Sequence, residues 1–220
     1  DGILLVPADS RSSYLKTIVS GSTPIVTIDR PMEVATTDSV GVENRSGARM
    51  AVEHLIGHGH RKIVCIAANS HLLTIKERIA GYKESMRRSR LPCPKELNLS
   101  SQSSATPALS RLLASRNRPD ALFTANNAST IWVIAALREM GIRMGRDLAL
   151  AAFDDVDFFT LITPSVTAVR QPASELGNVA TRLLLQRING EFKTPSVRTV
   201  LPVTLTLRES CGCKPGSKMP

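Results

Sequence analysis

Three strand-like segments of this chain end in side chains suited to holding hydroxyl groups. Ile25-Val-Thr-Ile runs into Asp29-Arg30, Ala121-Leu-Phe-Thr-Ala into Asn126-Asn127, and Leu148-Ala-Leu-Ala-Ala-Phe into Asp154-Asp155. A carboxylate accepts hydrogen bonds from two neighbouring hydroxyls, and an amide both donates and accepts. Asp and Asn are also common helix N-caps after a strand. For a single position capping would be the simpler account; for three in one chain the sequence leaves ligand and cap evenly balanced.

A second cluster, His54, His58 and His60, has two imidazoles at i, i+4. A metal would need further ligands in fixed geometry. The run His-Leu-Ile-Gly-His-Gly-His-Arg-Lys instead reads as a helix C-terminus, with Gly59 as the stop and cations favoured by the helix dipole. No metal and no other cofactor is expected. G-x-G-x-x-G, G-x-x-x-x-G-K-[ST] and G-x-S-x-G are all absent, which removes the usual support for nucleotide binding and α/β-hydrolase chemistry. Cys65 lies in an apolar run and reads as a small buried side chain. Cys211 and Cys213 fall in a Gly/Pro/Lys tail expected to be disordered, and no cysteine spacing suggests a disulfide framework, so a cytoplasmic location fits.

The elements that must place these groups alternate. Strand-like runs at Gly2–Pro7, Ile25–Asp29, Ile63–Ala67, Ala121–Ala125 and Leu148–Phe153 are mostly too continuously apolar to have a wet face. That is the pattern of a parallel sheet covered on both sides. Between them, Ala48, Ala51, Val52, Leu55 and Ile56 step at helical spacing, as do Leu176, Val179, Ala180, Leu183, Leu184 and Ile188 before Gly190. Ile79, Tyr82 and Met86 mark a third helix, with Lys83, Arg87, Arg88 and Arg90 on a solvated face. The expectation is an α/β fold of parallel sheets flanked by helices. Ligands of such folds bind at the carboxyl edge of the sheet, where Asp29, Asn126 and Asp154 fall.

Composition agrees. The chain has 220 residues, 42% hydrophobic and 21% charged, enough for one large domain or two lobes with a real core. No run of 18 apolar residues exists, so no membrane span is expected, and the start has no basic signal-peptide region. The net charge of +9 invites a nucleic-acid reading, but residues 1–110 hold 14 basic and 10 acidic side chains and residues 111–220 hold 14 and 9. A DNA-binding arm would concentrate its charge, so the hint is weak.

Read together, the segments resemble the LacI/GalR transcriptional regulators. The matching stretches are Val40-Gly-Val-Glu-Asn44, Gly47-Ala-Arg-Met-Ala-Val-Glu-His-Leu-Ile-Gly-His-Gly-His-Arg61, Glu77-Arg-Ile-Ala-Gly-Tyr82 and Arg118-Pro-Asp-Ala-Leu-Phe-Thr-Ala-Asn126. After them come Ala136-Leu-Arg-Glu-Met-Gly141, Phe153-Asp-Asp155, Leu161-Ile-Thr-Pro-Ser-Val-Thr167 and Leu205-Thr-Leu-Arg-Glu-Ser210. Their order covers the chain except its last ten residues.

The resemblance implies a periplasmic-binding-protein-like fold of two α/β lobes with a small sugar-like effector between them. Residues 1–44 plus 171–200 would form the N-terminal lobe, 45–168 plus 203–208 the C-terminal lobe, and 209–220 a disordered tail. It implies effector contacts at Asp29, Arg78, Asn126, Asp154 and Gln171. Phe153, Phe158, Phe159 and Trp132 are the few aromatics that could stack on a sugar ring, Trp132 being better explained by helix packing. Ala152 stands where the family often has Gly, and Asn127 where it often has Asp, which bears on pocket shape.

The function implied is effector binding and dimerisation for a repressor, with no enzymatic activity and with allosteric control of operator DNA. Family members carry a helix-turn-helix headpiece and two βα units before the segment matching Asp1-Gly-Ile-Leu-Leu-Val-Pro7, so the first lobe is expected to be incomplete and DNA contact to need a headpiece this sequence does not include. A periplasmic sugar-binding protein of a transport system shares the fold and is the alternative; a sugar-processing enzyme using Asp154 or Asp155 as base ranks last.

Overall fold

In the computed structural model, which describes residues 1–9, 14–19, 21, 23–32, 37–191 and 195–212, the chain divides into two units. Unit 1 takes Asp1–Glu43, Leu72–Thr74 and Gln171–Val203; unit 2 takes Asn44–His71, Ile75–Arg170 and Thr204–Pro220. Leu72–Thr74, which the sequence reading put in the second lobe, is a short turn and helix start with no apolar period to mark its change of unit.

Unit 2 holds a six-stranded sheet. Its strands in chain order are β4 (Ile63–Ala68), β5 (Leu97–Leu99), β6 (Ala121–Thr124), β7 (Ala149–Phe153), β8 (Thr167–Arg170) and β10 (Thr204–Thr206). They lie in the order β10-β8-β7-β6-β4-β5, all parallel except β10 against β8. Every residue of β4, β6 and β7 is buried, as the continuous apolar runs require of strands covered on both faces. Ile63, Ala121 and Ala149 pair across these three strands, so the strands start level. One core joins Ile66, Leu122, Leu150 and Phe159 to Leu109, Val133 and Leu137 from the helices.

The helices of unit 2 are α2 (Asn44–Gly57), α3 (Leu73–Arg88, from Ile75 on), α4 (Ala105–Leu113), α5 (Asn127–Glu139) and the short α6 (Phe158–Leu161). On α2 the expected stripe is real: Ala48, Ala51, Val52 and Leu55 are fully buried. Gly81 of α3 sits where a Cβ would lie 2.3 Å from the Arg45 carbonyl oxygen, so α3 crosses α2 at a distance only glycine permits. Tyr82, one residue on, donates its hydroxyl to the Ile63 carbonyl at 2.9 Å, tying the second half of α3 to the start of β4.

Unit 1 holds a four-stranded sheet among the described residues, ordered β1 (Ile3–Leu5), β2 (Ile25–Ile28), β3 (Asp38–Val42) and β9 (Arg198–Leu201), all parallel. Helix α7 (Ala173–Ile188) packs on β1, β2 and β3 through a face including Leu176, Ala180, Leu183 and Leu184, and Gly190 at φ 69° stops it. Asp38, buried, accepts Arg187 Nε at 2.7 Å and Val197 N–H at 2.7 Å, anchoring β3 to the segment entering β9. Helix α1 (Tyr14–Val19) lies between β1 and β2 in the chain.

Two expectations are corrected here. Glu209–Gly212 belong to the fold rather than to a disordered tail. Ser210 is fully buried and bridges the Thr167 N–H and the Leu150 carbonyl, while Cys211, 1% exposed, accepts from the Thr167 hydroxyl. The Gly/Pro/Lys composition that suggested disorder begins only beyond them; Cys213 and the rest of that tail lie outside the described residues. The charge, even along the sequence, is uneven in space: unit 1 has 7 basic and 8 acidic side chains, unit 2 has 21 and 11.

Candidate functional site

At the carboxyl edge of unit 2, β6 and β7 end side by side and their following turns hold the polar groups. After β6, Asn126 is extended and caps α5. Its Oδ1 accepts Ser129 N–H at 3.2 Å and the Ser129 hydroxyl at 2.6 Å, and its Nδ2 donates to the Ala68 carbonyl at 3.1 Å. The amide is thus engaged in fixing the β6–α5 turn against the end of β4, and the capping account applies to this residue.

After β7, Asp154 takes φ 75°, a left-handed conformation that Asp tolerates better than most residues and that recurs at functional sites. Its Oδ2 accepts Arg78 Nη1 at 3.0 Å and the Asn127 N–H at 3.3 Å. Arg78 comes from α3 and is 3% exposed, so it is neither a surface cation nor paired with Glu77. Its Nε donates to Asn44 Oδ1 at 2.8 Å, its Nη1 also to the Ala125 carbonyl at 3.0 Å, and its guanidinium carbon lies 3.7 Å from the centre of the Phe153 ring. Asn44, the first residue of α2, passes the chain on by donating to Glu77 Oε2 at 3.0 Å. A cation this deep is tolerable because every partner is an oxygen or an aromatic face. Among the described residues, Arg78 Nη2 has no acceptor.

The Asp155 side chain is 1% exposed and takes Arg170 Nε at 2.9 Å and both Arg208 Nη atoms at 2.8 and 2.9 Å. It braces the loop that presents Asp154 and is committed to two cations, which removes it as a general base. The sequence reading did not find Asn44 as a partner of Arg78. Its one signal was an Asn at a strand-to-helix junction. The role of the Asn127 N–H had no signal in side-chain identity.

In unit 1, Asp29 follows β2 at φ 67°, with its N–H on the Val40 carbonyl at 2.9 Å and its carboxylate 3.3 Å from Arg30 Nε. Arg30 reaches on to the Pro7 carbonyl at 2.9 Å. Gln171, half-buried, accepts the Ala173 N–H on its carbonyl at 3.0 Å. The structure therefore gathers Arg78, Asn126 and Asp154 in unit 2 and places Asp29 and Gln171 in unit 1.

The candidate stacking aromatics need correcting. Phe153 and Phe159 are fully buried, the first under Arg78 and the second in the core, so neither offers a face to a ligand; Trp132 packs on the core, and Phe158 is 45% exposed. His54 is buried with its ring 4.5 Å from His58. Burial, then His58 and His60, lower its pKa from 6.5 to about 4. His60 lies 3.8 Å from Asp120. Among the described residues no group of three or more His, Cys, Asp or Glu is arranged to hold a metal ion, and no helix is long and apolar enough to cross a membrane.

A family model described as a periplasmic binding protein-like domain matches residues 52–211. The repressor PurR of Photobacterium profundum is 27% identical over 214 residues, 96% of this chain and 64% of that protein. The chain thus spans about 64% of the length of that relative. The solved transcriptional regulator CelR–cellobiose complex is 31% identical with a TM-score of 0.85, covering 96% of this chain and 65% of the other. A regulatory protein of LacI family from Chloroflexus aggregans is 29% identical, also with a TM-score of 0.85, covering 96% and 76%.

Proposed function

The chain belongs to the periplasmic binding protein-like domain family, in its LacI/GalR branch, and from that premise we propose that it is the effector-binding and dimerisation part of a transcriptional repressor. In this reading it takes a small sugar-like ligand at the carboxyl edge of unit 2, beside Arg78, Asn126 and Asp154, while Asp29 and Gln171 stay effector contacts on the strength of the family resemblance alone. Ligand binding changes how the whole protein holds operator DNA, a coupling between two sites. The protein acts in the cytoplasm and performs no catalysis.

One observation carries this reading. Arg78 and Asp154 form a part-buried pair at the open ends of β6 and β7, with Nη2 of the guanidinium without an acceptor among the described residues and a carboxylate beside it. Donor and acceptor side by side are what vicinal hydroxyls match. The cellobiose in the CelR complex is a ligand of that chemistry, and PurR, CelR and the Chloroflexus aggregans protein are repressors or regulators rather than transport proteins. Dimerisation is supported by large apolar side chains left exposed on α5 and α6, Ile131 at 40%, Phe158 at 45% and Leu161 at 80%.

The test is a thermal-shift screen against monosaccharides, disaccharides, sugar phosphates and purines, run on the wild type and on Asp154→Ala. A ligand that raises the wild-type melting temperature and leaves Asp154→Ala unmoved is expected. A ligand that stabilises the two equally contradicts the site, and a screen in which sugars do nothing while another class binds contradicts the ligand class.

A further inference from the structure

Strands β4 to β7 run parallel, β4, β6 and β7 starting level and β5 three residues further along, and each helix between them runs back against its strands. The last turns of α2 to α5, and the loops leading into β4, β5, β6 and β7, therefore collect at the amino edge of unit 2's sheet. That is the edge opposite Arg78 and Asp154. Hydrogen bonds join the loops entering β4, β6 and β7. Asp120 accepts the backbone N–H groups of Arg61 and Lys62 at 2.9 and 3.0 Å, its own N–H reaches the Lys62 carbonyl at 3.0 Å, and its carbonyl accepts Ala149 N–H at 3.2 Å.

This edge is where the charge of the protein sits. Residues 58–62, 87–96, 111–120 and 138–148 hold twelve Lys and Arg against four Asp and Glu, a surplus of +8 in a chain whose net charge is +9. All twelve are exposed, and ten of them make no ion pair among the described residues. The acidic four are occupied. Glu96 is held by Lys83 at 2.9 Å, Glu139 accepts the Thr106 hydroxyl, Asp120 caps the Arg61–Lys62 turn, and Asp147 accepts the Arg143 N–H, which lowers its pKa. Complementing helix dipoles accounts for cations in the last turns of α3, α4 and α5, but eight of the twelve lie in the loops beyond.

We propose that this edge of unit 2 binds the phosphate backbone of duplex nucleic acid, without reading sequence and separately from the ligand site. Ten of the twelve cations are Arg, whose planar fork suits phosphate. These four segments contain no Phe, Tyr or Trp, so there is no platform for stacking the bases of a single strand. They also contain none of the exposed large hydrophobics, so there is nothing to insert into a bilayer or to form the apolar centre of a protein interface. The inference does not depend on the effector reading, since it uses no residue of that site.

Fluorescence anisotropy with a labelled 24-base-pair duplex, across 25–200 mM NaCl, tests it on the full chain. The expected result is equal binding of two unrelated duplex sequences, with log K falling against log salt at a slope of about −3 or steeper, the release expected from roughly four phosphates. Arg116→Glu/Arg118→Glu and, independently, Arg143→Glu/Arg146→Glu should each weaken binding at least about tenfold. Lys16→Glu/Arg182→Glu, exposed positions of unit 1 with the same change in charge, should weaken it far less. Absence of duplex binding at 25 mM salt, a flat salt dependence, or equal loss in the unit 1 variant overturns the proposal. So does tighter binding to oligo(dT), to poly-glutamate or to phosphatidylserine vesicles than to duplex at matched charge.

Discussion

Arg78→Met keeps the length and apolar stem of the side chain while removing its charge and three hydrogen bonds. The structure sets the cost. Asp154 loses its charged partner at 3.0 Å, and Asn44 Oδ1 and the Ala125 carbonyl each lose a donor. Removing one partner of a buried pair costs about 3–5 kcal/mol. The Asp154 side chain is 19% exposed, so water recovers part of that, and about 3 kcal/mol is expected. For a chain of this size that lowers the melting temperature by roughly 6–12 °C. Asp154→Asn is the informative second change, because Asn tolerates the left-handed backbone and removes the orphaned charge. The double variant should cost no more than Arg78→Met alone, a coupling of about 2 kcal/mol, within the range seen for groups in one network. Urea unfolding followed by circular dichroism measures all four corners of the cycle. A loss under 1 kcal/mol for Arg78→Met, or strict additivity in the double variant, would refute the reasoning.

Gly81→Ala should destabilise unit 2 by about 1–3 kcal/mol, since the new Cβ meets the Arg45 carbonyl and α3 must lift from α2; an unchanged urea midpoint would show the crossing is loose. His54 has its pKa lowered to about 4 when folded against 6.5 when free, so the unfolded chain binds the extra proton between those values. Its contribution is therefore present above pH 6.5 and is lost as pH falls from about 6.5 to about 4, on the order of 3 kcal/mol. His54→Gln should flatten that part of the stability–pH curve, and an unaltered curve would contradict the burial argument. Leu161→Glu, placing a charge at the most exposed large apolar side chain among the described residues, should shift sedimentation from dimer to monomer while the far-ultraviolet spectrum stays as in the wild type; a wild type that sediments as a monomer at 50 μM contradicts the dimer.

Periodicity found the elements whose environment is uniform. The interior strands β2, β4, β6 and β7 are continuous apolar runs because both of their faces are covered. β3 and β8 are interior too but did not show that signature, because Asp-Ser-Val-Gly-Val and Thr-Ala-Val-Arg bury the polar residues Asp38, Ser39 and Thr167. Nor did β5, β9 and β10, which are sheet edges where Leu-Asn-Leu, Arg-Thr-Val-Leu and Thr-Leu-Thr mix polar and apolar residues. Asp154 was legible from its place after a buried strand. Arg78 was legible only through the family resemblance, because nothing in a helix of mean polarity says that one arginine turns inward. The Asn44 and Phe153 contacts to it join positions 34 and 75 residues apart, which no local pattern encodes. Charge misled for the same reason. Loops distant in sequence but neighbours at one sheet edge carry nearly all of the surplus that an even count along the chain had dismissed.

The most direct test of the ligand site is a ¹⁵N–¹H titration of the wild type with the sugar that raises its melting temperature most. The Arg78 Nε–H and the Asn127 and Ala128 amides should show the largest shifts, saturating with one affinity that Asp154→Ala abolishes. Largest shifts at the amino edge of the sheet, around His60–Lys62 or Arg116–Asp120, with Arg78 and Asn127 unmoved, would contradict the account.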